Sequence, residues 1–223
     1  MSKFVYTAAS IAGLALAAGF LASAPPAHSA DSEGTNRAEL IDAGSRVLDV
    51  GTGAGLNNWP MNESPDHIID GVAQKYLNFA EIYTGFLVQP TFNGGNGTVA
   101  TSMQLWTAND AAARDPASYE LWGTNEPIDL FLSTSFNLGL FSPISSGSLA
   151  LPAGRGGTGA AALNNTNSQT VNFINSAGYK NYLVLSPSVK DSAAANSMQI
   201  GEVQLFGFAA FVNLTWTGNS SNA

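Results

Sequence analysis

The stretch MQIGEVQLFG at residues 198–207 alternates apolar and polar side chains over most of its length. The same alternation occurs at Met103-Gln104-Leu105-Trp106. A period of two residues is typical of a β-strand that has one face on a core and the other towards solvent. The two stretches therefore predict two strands of a half-covered sheet, with Leu105 and Val203 on the buried face.

Further short apolar or alternating runs predict more strands, and residues that favour turns separate them. The predicted strands are Tyr76–Phe79, Gly85–Val88, Val99–Thr107, Ser118–Trp122, Leu138–Phe141, Thr170–Ile174, Tyr182–Leu185 and Met198–Phe206. After residue 60 no segment sustains a helical period, although Asn109–Arg114 can form one short turn. Many short strands at this spacing predict an all-β fold, namely a β-sandwich of the jelly-roll type.

The N-terminus has the features of a secretory signal peptide. Lys3 precedes an apolar run from about Thr7 to Leu21, and the small-residue site Ala27-His28-Ser29 follows. The run is shorter than the ~20 apolar residues of a membrane-spanning helix. We therefore predict a signal peptide at 1–29, a leader of the domain at 30–59, a jelly roll at 60–208 and a tail at 209–223 that begins a further β region. The mature protein is expected to be secreted or at the cell surface, without a transmembrane span.

Composition narrows the function classes. The chain has no cysteine, and its 8 basic and 16 acidic residues give a net charge of -8. Nucleic-acid binding needs clustered lysine and arginine, whereas here the basic residues are scattered singly, so a nucleic-acid partner is excluded. Without disulfides, an exported fold depends on packing, hydrogen bonds or a metal ion.

The motif RVLDVGTGAG at residues 46–55 resembles the first motif of S-adenosylmethionine-dependent methyltransferases. In that setting a helix follows the glycines, but here Leu56-Asn57-Asn58-Trp59-Pro60 follows. Since the strand–turn–helix context is missing, we interpret the motif as a glycine-rich surface loop and predict no cofactor there.

The sequence offers few side chains of the types that carry out catalysis. His28 and His67 are the two histidines, and His28 lies within the predicted signal peptide. A thiol nucleophile is impossible without cysteine, and we interpret His67 as a strand-edge residue with an ordinary hydrogen bond. We therefore predict no catalytic residues and a protein that is not an enzyme.

A set of segments in a fixed order carries a family resemblance. The set comprises Ile69-Asp70-Gly71, Gln74–Phe79, Gly85–Pro90, Thr107–Asp110, Arg114–Tyr119, Gly123-Thr124-Asn125 and Met198–Gly207. Together these segments resemble the discoidin, or coagulation factor 5/8 C-type, domains of the galactose-binding-like superfamily, in the variant found in exported bacterial proteins. The resemblance implies an eight-stranded jelly roll whose loops at one end bind carbohydrates, glycans or lipid head groups.

The resemblance also implies a structural calcium ion. It places Asp70 of the Asp-Gly loop and Glu202 of the last strand at one site, and Gln74 can add an amide oxygen where a threonine is common. Val72 and Ala73 depart from the family pattern, because relatives often have oxygen-bearing side chains there. In the alternative, Asp70 merely caps the turn and Glu202 is exposed on an outer strand.

Trp59 and Arg114 are the ligand-binding candidates. A sugar's apolar face stacks on an aromatic ring, and Trp59 lies in a loop beside Pro60, whereas Trp106 and Trp122 lie in predicted strands and are expected to pack. Arg114 can bind a ligand carboxylate, or it can form an ion-pair cluster with Asp110 and Asp115 that ties the loop.

These observations favour a non-catalytic extracellular module that binds carbohydrate or a cell-surface glycan. The alternative is a structural or adhesive segment of a larger bacterial surface protein, without a small-molecule ligand of its own.

Overall fold

The computed structural model of the protein describes residues 37–51, 58–79, 84–132, 137–155 and 157–210. The predicted signal peptide, the glycines at the end of the RVLDVGTGAG motif and the tail from Phe211 lie outside these residues. The described ranges contain eleven strands and seven 3₁₀ turns, with no cis peptide bond.

The strands are short, as expected for a sandwich. They are β1 (Ala38–Glu39), β2 (Arg46–Gly51), β3 (Tyr76–Asn78), β4 (Thr84–Gln89), β5 (Thr98–Trp106), β6 (Ser118–Thr124), β7 (Ser142–Ser148), β8 (Ser168–Asn172), β9 (Asn181–Ser186), β10 (Met198–Ile200) and β11 (Glu202–Ala209). The 3₁₀ turns are Pro65–Ile68, Phe92–Gly95, Ala112–Arg114, Ile128–Phe131, Leu138–Leu140, Ala160–Ala162 and Asn165–Asn167.

Two antiparallel sheets and a small ribbon make up the molecule. The five-stranded sheet has the order β2-β4-β9-β6-β7, the four-stranded sheet has the order β1-β11-β5-β8, and β10 pairs with β3. Both β1 and β2 precede residue 60, so the leader supplies an edge strand to each sheet. The all-β sandwich predicted from the sequence is confirmed.

The two alternating stretches pair with each other. In the β5–β11 ladder, Leu105 lies opposite Val203 and Met103 lies opposite Leu205. All four side chains are buried in the core between the sheets, whereas Gln104 and Gln204 face the other way and are half-buried. The predicted burial of Leu105 and Val203 is confirmed.

Two glycines of the 198–207 stretch allow close approach of neighbouring backbones. A Cβ atom at Gly207 would lie 2.0 Å from the carbonyl oxygen of Val99, and one at Gly201 would lie 2.4 Å from that of Thr107. Because both obstacles are backbone atoms, a side chain cannot be accommodated by a rotamer change. The glycines are therefore required by the pairing of this stretch with β5 and its C-terminal continuation.

The five-stranded sheet is covered on both faces. Phe86 and Val184 point to the main core, whereas Leu87 and Leu183 point to a second apolar cluster on the outer face. The connection between β6 and β7 covers this outer face, with Phe131 and Phe141 in ring contact at a centroid distance of 5.0 Å. Burial on both faces explains why β4 and β9 are continuous apolar runs rather than alternating ones.

The structure corrects two sequence-based expectations in this region. Leu138–Phe141 is not a strand, because Leu138–Leu140 forms a 3₁₀ turn whose following residue, Phe141, packs on the outer face. The strand is the polar Ser142–Ser148, at the edge of the sheet. The RVLDVGTGAG motif does not begin as a loop, because Arg46–Gly51 is strand β2, which pairs antiparallel with β4.

Within the described part of the chain, no helix has the length and apolar character needed to cross a membrane.

Candidate ligand cleft and cation site

The irregular segment 58–75 contributes to two neighbouring features of the surface. It contains the 3₁₀ turn Pro65–Ile68, whose buried Pro65 and Ile68 anchor it to the sandwich. The backbone N–H of Leu77 donates to the carbonyl of Glu63 at 3.2 Å, and the Lys75 ammonium lies 3.2 Å from the Glu63 carboxylate. Side chains of this segment line a cleft, and its Asp70 forms a carboxyl pair with Glu202 of β11.

The cleft lies along β2, the outermost strand of the five-stranded sheet, and has a volume of about 160 Å³. Three chain segments form its walls: β2, the 58–75 segment and the end of the 3₁₀ turn Ile128–Phe131. Its lining residues are Val47, Leu48, Asp49, Trp59, Ser64, Pro65, Asp66, Phe131 and Leu132. The cleft is therefore a small concave site lined in about equal measure by polar and apolar surface.

Trp59 is half-buried and packs against the main core while it lines the cleft. An indole ring offers a flat apolar face and one N–H donor. The polar lining groups are the Ser64 hydroxyl, the buried Asp49 carboxyl and the exposed Asp66 carboxylate. The nine lining residues include two acidic side chains and no basic one, so the cleft offers hydrogen-bond acceptors to hydroxyl groups and disfavours an anion.

Sequence reasoning found Trp59 but missed the other residues of the cleft. Asp49 carried a usable signal, because it stands two positions after Val47 in an apolar strand and therefore on the face that packs against the core. A carboxyl at a core-facing position is unusual, so the sequence alone could have marked Asp49 as a candidate functional residue. Phe131 and Leu132 carried no such signal, since only the folding of the β6–β7 connection over the sheet brings them to β2.

The structure brings Asp70 and Glu202 together. Asp70 follows the turn Pro65–Ile68, and Glu202 is the first residue of β11. The two carboxyls interact electrostatically, and the Gly71 backbone N–H donates a hydrogen bond to the Glu202 carboxyl. Glu202 is 6% exposed, so the alternative in which it is exposed on an outer strand is wrong.

Glu202 is held in an unfavourable environment for a lone carboxylate. Burial, and secondarily the charge of Asp70, raise the pKa of Glu202 to about 10, against the opposing effect of the Gly71 hydrogen bond. Its Oε2 atom is buried without a hydrogen-bond partner. Trp106, the cross-strand neighbour of Glu202, is 2% exposed and lies on the face of the four-stranded sheet opposite the core. A cation between the two carboxyls would supply the missing partner.

The remaining oxygens for a calcium ion would come from backbone carbonyls and water. Among the described residues, no group of three or more histidine, cysteine, aspartate and glutamate side chains is arranged to hold a metal ion. The two carboxyls with an unpartnered buried oxygen fit calcium as part of a larger oxygen shell.

His67 and Gln74 form a chain of contacts that ends at Asp70. His67 belongs to a 3₁₀ turn rather than a strand edge, and its Nδ1 lies 2.8 Å from Asp70 Oδ2. The other ring nitrogen, Nε2, lies 3.3 Å from the Gln74 amide nitrogen, which also donates to the Asn62 carbonyl at 3.4 Å. The Gln74 amide nitrogen therefore contacts His67 and Asn62, and His67 in turn contacts Asp70. Asp70 Oδ1 accepts the Val72 backbone N–H at 2.9 Å, which closes the turn.

Arg114 ends the 3₁₀ turn Ala112–Arg114 and is not among the residues that line the cleft. The expected ion-pair cluster of Arg114, Asp110 and Asp115 does not form. Asp110 pairs with Lys75 at 2.7 Å, and Asp115 pairs with Arg155 at 2.6 Å and Lys190 at 2.8 Å. Asp110 and Asp115 therefore form ion pairs with basic residues that are distant in the sequence, and not with the neighbouring Arg114.

Comparison with known proteins places this fold. The sequence matches no protein-family model and no curated protein. Solved structures do match. The family 32 carbohydrate-binding module of Clostridium perfringens NanJ, in complex with galactose, has a TM-score of 0.52 at 9% identity, over 76% of this chain and 98% of that one. CpGH89CBM32-5 of Clostridium perfringens, in complex with GalNAc-β-1,3-galactose, has a TM-score of 0.51 at 12% identity, over 77% of this chain and 100% of that one.

At these identities the likeness establishes the fold. The chain shares the β-sandwich fold of these two family 32 carbohydrate-binding modules, and the resemblance drawn from the sequence is confirmed at the level of the fold.

Proposed function

We propose that this protein is a non-catalytic extracellular module that binds neutral saccharides of the galactose type in the cleft beside Trp59. The observation that carries the proposal is a cleft with an indole wall and acceptor groups, in a fold shared with modules bound to galactose and to GalNAc-β-1,3-galactose. A sugar can stack its apolar face on the indole while its hydroxyls donate to Asp49, Asp66 and Ser64.

Replacing Trp59 by alanine is expected to weaken galactose binding about tenfold or more, since buried aromatic contacts dominate the affinity of many sites. The measurement is isothermal titration calorimetry of the exported chain with galactose and with GalNAc-β-1,3-galactose. Trp59→Phe keeps an aromatic face and is expected to retain most of the affinity.

Phe79→Ala is the matched control for Trp59→Ala. Phe79 is 46% exposed, its backbone N–H donates to the Asn58 carbonyl at 3.0 Å, and it does not line the cleft. The control should bind as the wild type does. Equal affinities of wild type and a folded Trp59→Ala variant would refute the assignment of the cleft.

We further propose a structural calcium ion held by Asp70 and Glu202, with backbone carbonyls of the 68–74 loop and water. The support is the orphaned Glu202 Oε2 beside a second carboxyl. Bound there, the ion would join the 58–75 segment to β11, and so would stabilise the wall of the cleft that Trp59 and Ser64 provide.

Export by the N-terminal signal peptide is also part of the proposal. Lys3, the apolar run and Ala27-His28-Ser29 support cleavage before Ala30. Mass spectrometry of the protein purified from its native host is expected to give a mature N-terminus at Ala30 or within a few residues of it. Soluble protein that retains Met1 would contradict this part of the proposal.

A further inference from the structure

Exposed leucines are concentrated in the connection between β6 and β7, which forms one wall of the cleft. In the described part of the chain, the large apolar side chains that are exposed are Met61, Phe79, Leu130, Leu132, Leu140, Ile174 and Phe208. Leu130, Leu132 and Leu140 all belong to this connection, and Leu132 lines the cleft. Single exposed apolar residues are normal, whereas a group of them beside a concave site is typical of a binding surface. We call these three residues the leucine surface.

The wall that carries Leu130 and Leu132 is anchored to the five-stranded sheet. The first and last residues of the 3₁₀ turn Ile128–Phe131 are each 2% exposed and pack in the outer apolar cluster. Between them, Asp129 forms an ion pair with Arg46 of β2 at 2.7 Å. With the turn anchored in this way, Leu130 and Leu132 remain 47% and 37% exposed. The turn therefore presents two leucines to solvent at a fixed position beside the cleft.

The cleft is too small to enclose a ligand much larger than about one sugar ring. Its volume is about 160 Å³, whereas sites that enclose a drug-sized molecule have roughly 300–1,000 Å³. A group attached to a sugar in the cleft must therefore leave through the mouth and lie on the surrounding surface. Because Leu132 lines the cleft and is also exposed, the leucine surface begins at this mouth.

We infer that the cleft takes galactosides in which the sugar carries an apolar chain, with the ring beside Trp59 and the chain over Leu132 and Leu130. The inference rests on the proposed function, because it names the class of ligand for the same cleft. Contact between the chain and the leucines removes apolar surface of both from water, which is favourable in proportion to the area removed. A polar group in place of the chain lacks this contribution, and the Asp66 carboxylate of the cleft repels an anionic one.

The test is isothermal titration calorimetry of the exported chain with methyl β-galactoside and with octyl β-galactoside, the latter below its critical micelle concentration. The wild type is expected to bind the octyl glycoside at least about tenfold more tightly, since burial of about two methylene groups gives that factor. The double variant Leu130→Gln/Leu132→Gln should bring the two affinities within about threefold of each other.

A free glycoside and a membrane glycolipid both provide a galactose with an apolar chain, and vesicles distinguish these two sources. Co-sedimentation of the wild type with phosphatidylcholine vesicles that contain a galactosyl diacylglycerol, but not with plain vesicles, identifies a glycolipid. Binding of octyl β-galactoside without co-sedimentation identifies a free glycoside, and the inference holds in both cases. Equal co-sedimentation with plain vesicles contradicts it, because the leucines then bind a bilayer without the sugar.

Ile174→Gln is the matched control, because Ile174 is 98% exposed, follows β8 of the four-stranded sheet and does not line the cleft. It should keep the preference for the octyl glycoside. The inference is overturned if the wild type binds the two glycosides equally, if the folded double variant keeps the full preference, or if Ile174→Gln loses it. Equal binding of both glycosides leaves the proposed function standing, whereas binding of neither refutes the proposed function as well.

Discussion

Leu105→Ala is expected to lower the free energy of unfolding by about 2–5 kcal/mol, the range for deletion of a fully buried leucine side chain. Leu105 is 1% exposed, lies in the second-to-last position of β5 and faces Val203 across the ladder inside the main core. Close packing between two sheets leaves little room for the neighbours to collapse into the cavity. Urea unfolding of the two proteins, followed by tryptophan fluorescence, measures the difference.

Thr170→Ala is the control for this substitution. Thr170 is exposed on the edge strand β8, and its loss should change stability by less than about 0.5 kcal/mol. If Leu105→Ala also falls within that range, the inner and outer faces of the four-stranded sheet have been assigned the wrong way round.

Removal of calcium is expected to have the second largest effect on stability. An ion that binds only the folded protein stabilises it by about 2.7 kcal/mol at a hundredfold excess over Kd. For a domain of this size that corresponds to a fall in Tm of roughly 5–11 °C when a chelator is added. Thermal melting in calcium and in chelator measures the shift.

Asp70→Ala and Glu202→Gln should each abolish the calcium-dependent difference in Tm, because each removes one of the two carboxyls. Glu126→Gln is the control, since Glu126 is exposed and lies in the connection after β6. It should respond to chelator as the wild type does. Superimposable melting curves of the wild type in calcium and in chelator would leave Asp70 as the residue that closes the turn with Val72 and nothing more.

The sequence was most informative where one face of a strand packs and the other does not. The alternation at 103–106 and 202–205 predicted both strands and their buried faces, because side-chain direction in a strand follows residue parity. The pattern failed at Ser142–Ser148, an edge strand whose side chains are mostly exposed and which therefore has no apolar signal. It failed again at Leu138–Leu140, where the apolar residues belong to a turn over the outer face of the sheet.

The residues of the candidate sites were harder to predict from the sequence than the strands were. Asp70 and Glu202 are far apart in the chain, and only the family resemblance joined them before the structure was known. The acceptors of Lys75, Arg155 and Lys190 could not be read from sequence spacing, because tertiary contacts decide which cation reaches which carboxylate. Leu132 enters the cleft for the same reason, through the path of a long connection.

The central claim is that this protein binds a neutral saccharide, and a glycan array probed with the calcium-loaded, exported chain tests it most directly. We expect saturable binding to glycans that end in galactose or N-acetylgalactosamine, and loss of that binding in Trp59→Ala. If the folded wild type binds no glycan on the array above background, the claim is contradicted, and the protein is instead a structural or adhesive segment of a surface protein.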